Sequence, residues 1–319
     1  KEKLMNKLIK TKVSAVRCIQ ASRCKNTGKE IFTLECEYPR VVHSQLLTHG
    51  VFSKNSSSTR AVPLEAAIKQ ILENPAKVIW TTNQSGMQGE VVTDELLIEH
   101  ANYVYHNAMS LAIDEARTLQ ELGIHKQNAG RLLEPFQNIK IVLTATEWEN
   151  WDWLRIHEDA QGEIADLATA MKEARDTAEI MEIGPGEWHV PYVERERSDD
   201  GSLMYYISEF GDEWLNGEQA KQISSSVCAQ ISYRKGDYSL EKAEKMEGML
   251  VDGHKVHASP FEHQCMAFGE VTNHYDPKQW PKGITHVDRQ GVLWSANMSS
   301  FIQHRQLIKN HDPAKPNYD

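Results

Sequence analysis

Apolar and polar side chains alternate through Glu30-Ile-Phe-Thr-Leu-Glu-Cys-Glu-Tyr38, the period of two that marks a half-buried strand, and Pro39 closes it. The period then changes. Over residues 41–51 apolar positions recur at helical spacing, which predicts a helix with Gln45 and His49 one turn apart on the same face. Residues 53–59 are serine-rich, poor in helix propensity, and read as a loop whose backbone N–H groups are free to face an anion. A long amphipathic helix is expected over residues 93–123 and a shorter one, carrying Arg131, over 125–135. Residues 139–146 fit either a buried strand or the opening turns of a helix. Residues 147–182 are helical in pattern, and Arg155, Asp159 and Glu163, spaced by four, fall on one stripe.

Gly184-Pro185-Gly186 ends that helix. Residues 194–217 are charged, glycine-punctuated and weakly periodic, the pattern of a linker or lid. Residues 224–233 read as a short strand or helix, and 240–250 as a helix with Gly253 as its cap. Beyond His263 the chain is loop-rich until a short helix over 299–309. The elements describe a mixed α/β chain in which residues 5–193 and 223–310 form two segments of one domain, joined by a linker or lid at 194–222.

Composition narrows the function. The chain has 319 residues, 40% hydrophobic and 25% charged, with a formal net charge of −10, a balance that argues against a broad footprint for duplex DNA or an anionic membrane. Five cysteines, Cys18, Cys24, Cys36, Cys228 and Cys265, form no C-x-x-C pair and read as reduced thiols of a cytoplasmic protein. No apolar run approaches the roughly 18 residues of a membrane span, and the lysine-rich start lacks the apolar core of a signal peptide.

Two separated stretches concentrate amide, hydroxyl and guanidinium groups: Gln45-Leu-Leu-Thr-His49-Gly50-Val-Phe-Ser53-Lys-Asn55-Ser-Ser-Ser58-Thr-Arg60 and Trp153-Leu-Arg155-Ile-His157-Glu158-Asp159-Ala-Gln161-Gly-Glu163. Arginine forks match phosphate oxygens and heterocycle carbonyls bidentately, and the uncharged groups supply the remaining hydrogen bonds. A phosphorylated planar ligand, a nucleotide, is the expected guest. His257 and His263 flank Glu262, but Pro260 breaks helical spacing and no H-E-x-x-H is present, so no metal is expected there. Trp148, Trp151 and Trp153 read as core or interface packing ahead of a cofactor box.

The pattern Q-x-x-x-H-x-x-x-S-x-N-x-x-S-x-R resembles the signature of flavin-dependent thymidylate synthases, and Leu154-Arg155 with Ala160-Gln161-x-Glu163 resembles a second helix of that family. His257-Ala-Ser-Pro-Phe-Glu-His263 is similar to its H-x-[ST]-P-F-E-H, and Cys228-Ala-Gln-Ile-Ser232-Tyr233 to the segment before it. Here P-F-E-H follows the signature instead of preceding it, a permuted order that resembles longer variants associated with bacteriophage genomes. The resemblance favours helix for 139–146 and implies long helices packed on a small sheet.

What the family implies is a one-carbon transfer from methylenetetrahydrofolate to C5 of dUMP, with reduced FAD as hydride source, NADPH as reductant, and a homotetramer sharing its sites. It implies that Gln45, Ser58, Arg60, Arg131 and Arg155 hold the nucleotide, with Arg155 and Ser58 closest to the chemistry. His49, Ser53, Asn55, Asn150, Asp159, Ser232 and His257 match positions on the flavin side. Departures are concentrated there. Thr48, Gly50, Val227 and Gln230 stand where the family carries arginines, and Asp159 where it carries histidine, so that Lys54, His304 and Arg305 are the expected substitutes. Two other readings follow from those departures: a flavin- and folate-dependent hydroxymethylation of a pyrimidine nucleotide, and a nucleotide-binding paralogue without turnover.

Overall fold

A computed structural model describes residues 7–85, 89–211, 213–232, 236–251 and 256–312. A six-stranded sheet organises it. Strands β1 (Ile9–Lys10), β2 (Ala15–Cys24), β3 (Glu30–Pro39), β4 (Ser53–Ser56), β5 (Asn138–Ala145) and β6 (Met181–Ile183) pair in the order β1-β2-β3-β5-β4, antiparallel throughout, with β6 parallel to β2 at its far end. Helices α1 (His43–Leu47), α2 (Leu64–Glu73), α3 (Glu95–Glu121), α4 (Lys126–Ala129), α5 (Glu149–Arg155) and α6 (Gly162–Asp176) occur within the same stretch of chain.

The two faces of this sheet differ in chemistry. Phe32, Leu34, Cys36 and Tyr38 of β3 and Ile139, Ile141 and Leu143 of β5 point to one face and pack on Trp148 and Trp151 near α5 and on Ile164, Leu167 and Met171 of α6. The alternate residues are largely polar: Thr33 and Glu35 of β3, Thr144 of β5, and Ser53 directly opposite Thr144 on β4. In β2 the register shifts between Cys18 and Gln20, a bulge that exchanges odd for even positions. Val16 and Cys18 therefore join the apolar face, while Gln20 and Ser22, beyond the bulge, join the polar one.

The polar face is covered by the rest of the chain. β7 (Trp188–His189) pairs with β11 (Cys265–Ala267), which pairs with β15 (Phe301–Gln303). β8 (Glu194–Arg197), β9 (Leu203–Tyr206) and β10 (Trp214–Leu215) form a meander, α7 (Gly217–Ala229) packs against α8 (Leu240–Val251), and β12 (His286–Val287), β13 (Leu293–Ser295) and β14 (Met298–Ser299) make a last small sheet. Separately, α2, α3 and the turn over Gly130–Phe136 bury their own cluster around Ile68, Met109, Ile113 and Leu133.

Several elements differ from the sequence expectation. Residues 139–146 form a strand, because its odd positions and the facing β3 residues share the α6-covered core. The expected loop over 53–59 begins as β4, whose serines and Asn55 add an edge to β5. The helix of residues 147–182 is two helices, broken after Arg155, so Asp159 lies in the intervening turn, off any stripe shared with Arg155 and Glu163. The supposed linker of residues 194–217 is the β8–β10 meander, with Tyr205 and Ile207 buried. Residues 299–309 extend as β15 and a short 3-10 turn instead of a helix. Gly253 and Tyr233 lie outside the described residues.

Candidate functional site

The residues singled out from the sequence fall into distinct places. The first is the junction of α1, α5 and α6. Arg155 ends α5, and its Nε donates to His49 Nε2 at 3.3 Å. His49 is buried, edge-on to Trp151 with ring centroids 4.7 Å apart and stacked on Phe52 at 5.9 Å. Burial, then the charges of Arg155 and Lys54, lower the affinity of its ring for a proton, so His49 is neutral, with Nε2 the acceptor and the proton on Nδ1. Arg155 is thereby held through Nε alone. No described residue occupies its terminal nitrogens, and this open fork suits a planar or tetrahedral oxyanion.

The same junction is braced from its other side. Gln45 donates to Gln161 at 2.5 Å, Gln161 donates to Glu163 at 3.0 Å, and the other Glu163 oxygen accepts from the Ile79 N–H at 2.9 Å. Gly162 sits between them because a Cβ there would lie 3.0 Å from Ile79.

A second group lies at the opposite end of the signature. Ser58 caps the turn carrying Arg60, accepting from the Arg60 N–H at 3.3 Å, while its own N–H donates to Ser232 Oγ at 2.9 Å. Ser58 and Ser232 line a cleft of about 390 Å³ together with Arg40, Lys140, Asn74 and Asn138. The Arg60 turn packs on α4, which runs into the turn bearing Arg131. Both arginines are exposed and neither forms an ion pair among the described residues.

The remaining flavin-side positions do not converge. Ser53 is buried and shared between Asn297 and Gln303, and Asn55 Oδ1 is buried without a hydrogen bond. Asn150 and His257 are exposed on different elements. Asp159 is exposed and turns back to His157. Among the described residues no hydrogen bond joins these positions to one another.

The expected substitute cations also prove committed. Lys54 donates to the carbonyl of His49 at 2.8 Å. His304 is packed edge-on to Trp188 and Phe261, and burial takes its pKa down to about 3. Arg305 is bonded to Glu262. Of the three tryptophans, Trp148 and Trp151 pack as expected, whereas Trp153 is 73% exposed on α5. Gly50 is open: a Cβ there meets no atom within 4 Å.

One polar assembly escaped the sequence. Arg195 donates to Ser22 Oγ at 2.9 Å, Ser22 contacts His189 Nδ1 at 2.7 Å, His189 Nε2 contacts Thr33 at 2.8 Å, Thr33 contacts Thr144 at 2.7 Å, and Thr144 contacts His263 Nδ1 at 2.8 Å. Ser22, Thr33, Thr144, His189 and His263 are fully buried. A guanidinium only donates, so the Ser22 oxygen accepts there and its O–H passes to His189. Direction then propagates to His263, placing the proton of both imidazoles on Nε2. His263 Nε2 is buried without a partner among the described residues, so this order leaves one N–H unmatched, whereas the reverse order leaves both the Ser22 hydrogen and the Nε2 lone pair unmatched. Burial holds His189 well below its ordinary pKa and takes His263 down to about 3. The one sequence signal was a single serine or threonine in each of three strands, Ser22, Thr33 and Thr144.

Comparison with known proteins bears on the first half of the chain. No curated protein sequence matches it. Two crystal structures of the UMP/dUMP methylase PolB from Streptomyces cacaoi are similar. The one bound with 5-Br UMP has 16% identity and a TM-score of 0.41, and the one bound with 5-Br dUMP has 15% and 0.37. Each likeness spans 51% of this chain, and 88% and 89% of the respective methylase chains. Residues 29–178 match the model of the thymidylate synthase complementing protein family, a stretch that carries β3 to β5, α1 to α6, Gln45, His49, Ser58, Arg60, Arg131 and Arg155. Through that segment the chain is similar to the thymidylate synthase complementing protein family.

Proposed function

We propose that the protein is a thymidylate synthase-like enzyme that modifies C5 of a pyrimidine deoxynucleotide, dUMP being the substrate that family points to. The observation that carries the reading is the open fork of Arg155, oriented by a neutral His49 inside the family-matched segment. Arg155 draws charge onto a uracil carbonyl or phosphate in a site where the guanidinium is already oriented before the ligand arrives. Arg60 and Arg131 hold the phosphate, with Ser58 beside them.

Those residues lie in two groups, and a second copy of the chain is the natural means of uniting them, as the family's shared tetrameric sites imply. The one-carbon donor in this reading is methylenetetrahydrofolate, and reduced FAD, renewed by NADPH, would supply the hydride. The dispersed flavin-side residues favour one second reading, nucleotide binding without turnover.

Calorimetry with dUMP tests the first. Arg155→Ala and Arg60→Ala are each expected to weaken binding by more than about tenfold, since a charge-assisted contact contributes roughly 1.5–3 kcal/mol. Unchanged affinity in both folded variants overturns the nucleotide assignment. Mass spectrometry of products from dUMP, methylenetetrahydrofolate, FAD and NADPH separates the readings: a colourless protein that binds dUMP and yields no C5-modified product belongs to the second.

A further inference from the structure

We propose that the protein has a second ligand groove, for an elongated anion with an aromatic ring at one end and carboxylates or phosphates at the other. Two clefts of about 580 and 460 Å³ adjoin along the side of the sheet, sharing Lys12, Val13, Pro75 and Lys77. They differ in lining. The wider one carries Lys10, Lys12, Arg17, Lys77 and Lys140. The other is walled by Val78, Ile79, Ile98, Trp80 and Tyr105.

The aromatic end is fixed in advance. Trp80 Nε1 donates to Asn102 at 2.9 Å, Tyr105 Oη donates to the Pro135 carbonyl at 2.8 Å, and the two rings meet edge-to-face at 6.0 Å. With their polar atoms engaged, both rings offer apolar surface without further ordering cost, the arrangement that favours a planar guest.

The cationic end is unusual for a chain of net charge −10. Arg17 and Lys140 both pair with Glu35, each at 3.1 Å. Glu37 accepts from Asn74 and Glu73 pairs with Lys69. Lys10, Lys12 and Lys77 have no carboxylate partner among the described residues, so three like charges gather at one opening and repel unless an anion joins them. The turn presenting Lys12 is rigid. Asp166 accepts from Thr11 Oγ1 at 2.5 Å and from the N–H groups of Lys12 and Val13 at 3.1 and 3.3 Å. Lys140 and Asn74 also line the Ser58 cleft and the Ile79 N–H braces the Arg155 junction, whereas Lys10, Lys12, Lys77, Trp80 and Tyr105 belong to neither nucleotide group, so substitutions at those five test the groove separately from that reading.

Two probes with the shared chemistry are p-aminobenzoyl-glutamate and 1-naphthyl phosphate, titrated calorimetrically into the full chain. At least one is expected to bind, the preferred probe identifying a carboxylate or a phosphate tail. The double variant Lys12→Glu/Lys77→Glu, altered only at exposed positions, should lose more than about tenfold of that affinity, two charge-assisted contacts having been reversed. Trp80→Leu should weaken it severalfold with dUMP binding unchanged. Failure of both probes to bind the unaltered protein, or equal binding by the lysine variant, overturns the groove.

Discussion

Thr144→Val tests the buried polar relay most directly. The substitution keeps the shape of the side chain and removes one hydroxyl, which accepts from Thr33 and donates to His263 across 2.7 and 2.8 Å. Thr33 would then keep a hydrogen without an acceptor and His263 Nδ1 a lone pair without a donor, both in sites shut from solvent. Each stranded group costs roughly 1–3 kcal/mol. Valine recovers part of this through strand preference and the easier burial of a methyl. The expected net loss is about 2–4 kcal/mol, against a typical total of roughly 5–15 kcal/mol. Urea denaturation followed by circular dichroism measures it, with an unchanged slope required so that the midpoint reports stability alone. Thr33→Val should cost a comparable amount, and the double variant less than the sum, because the two share one bond. A Thr144→Val midpoint within error of the parent, or strict additivity, refutes the directional chain.

Acid sensitivity follows from the same groups. The folded-state pKa values of His263 and His304 lie at about 3 and that of His43 at about 4, all below the ordinary value of 6.5. The unfolded chain therefore binds protons that the folded one refuses, so stability is full above pH 6.5 and falls as pH drops from 6.5 toward 3. Each such imidazole contributes a slope of up to about 1.4 kcal/mol per pH unit, and a stability flat between pH 6.5 and 4 would contradict their neutral burial. The cysteines give a chemical counterpart. All five are buried, with burial pushing Cys18 up to about 12 and raising Cys36, Cys228 and Cys265 further. Iodoacetamide should label none of the five in the native state and all five in guanidinium, and rapid native labelling would show a thiolate available for covalent chemistry.

The strand at Glu30–Pro39 and the long helix at Glu95–Glu121 were legible because each carries a clean period over many residues. Residues 139–146 were not, since Ile-Lys-Ile-Val-Leu-Thr-Ala is apolar in either geometry and only its pairing with β3 and β4 decides. The break between α5 and α6 was hidden for a related reason: the spacing of Arg155, Asp159 and Glu163 is helical, but the turn at residues 156–161 is fixed by a long-range bond from Gln45 to Gln161 and a local one from Gln161 to Glu163. The nucleotide-side residues could be nominated by motif. Their division into two groups could not, because spacing along a signature says nothing of which side of β4 each end emerges on. His189 and Arg195 carried no motif of their own, and their role appears only where β7 and β8 meet the sheet.

The unequal faces of the central sheet bear on how the chain is made. All six of its strands and the helix that covers its apolar side are complete by Ile183, so a chain emerging from the ribosome can close that core while more than a third of its length is unsynthesised. The side left bare at that moment carries Gln20, Ser22, Thr33, Glu35 and Thr144, groups that water satisfies as readily as His189 and His263 later do. A half-made molecule therefore shows solvent a face on which Ile31 and Val142 are interspersed with hydroxyls, amides and carboxylates, and has less reason to aggregate while waiting than one with an unbroken aliphatic face. Because the late segment binds to the face of a finished sheet and inserts no strand into it, the core does not depend on that segment being last. A gene could carry the cover before the sheet or after it and still encode the same contacts.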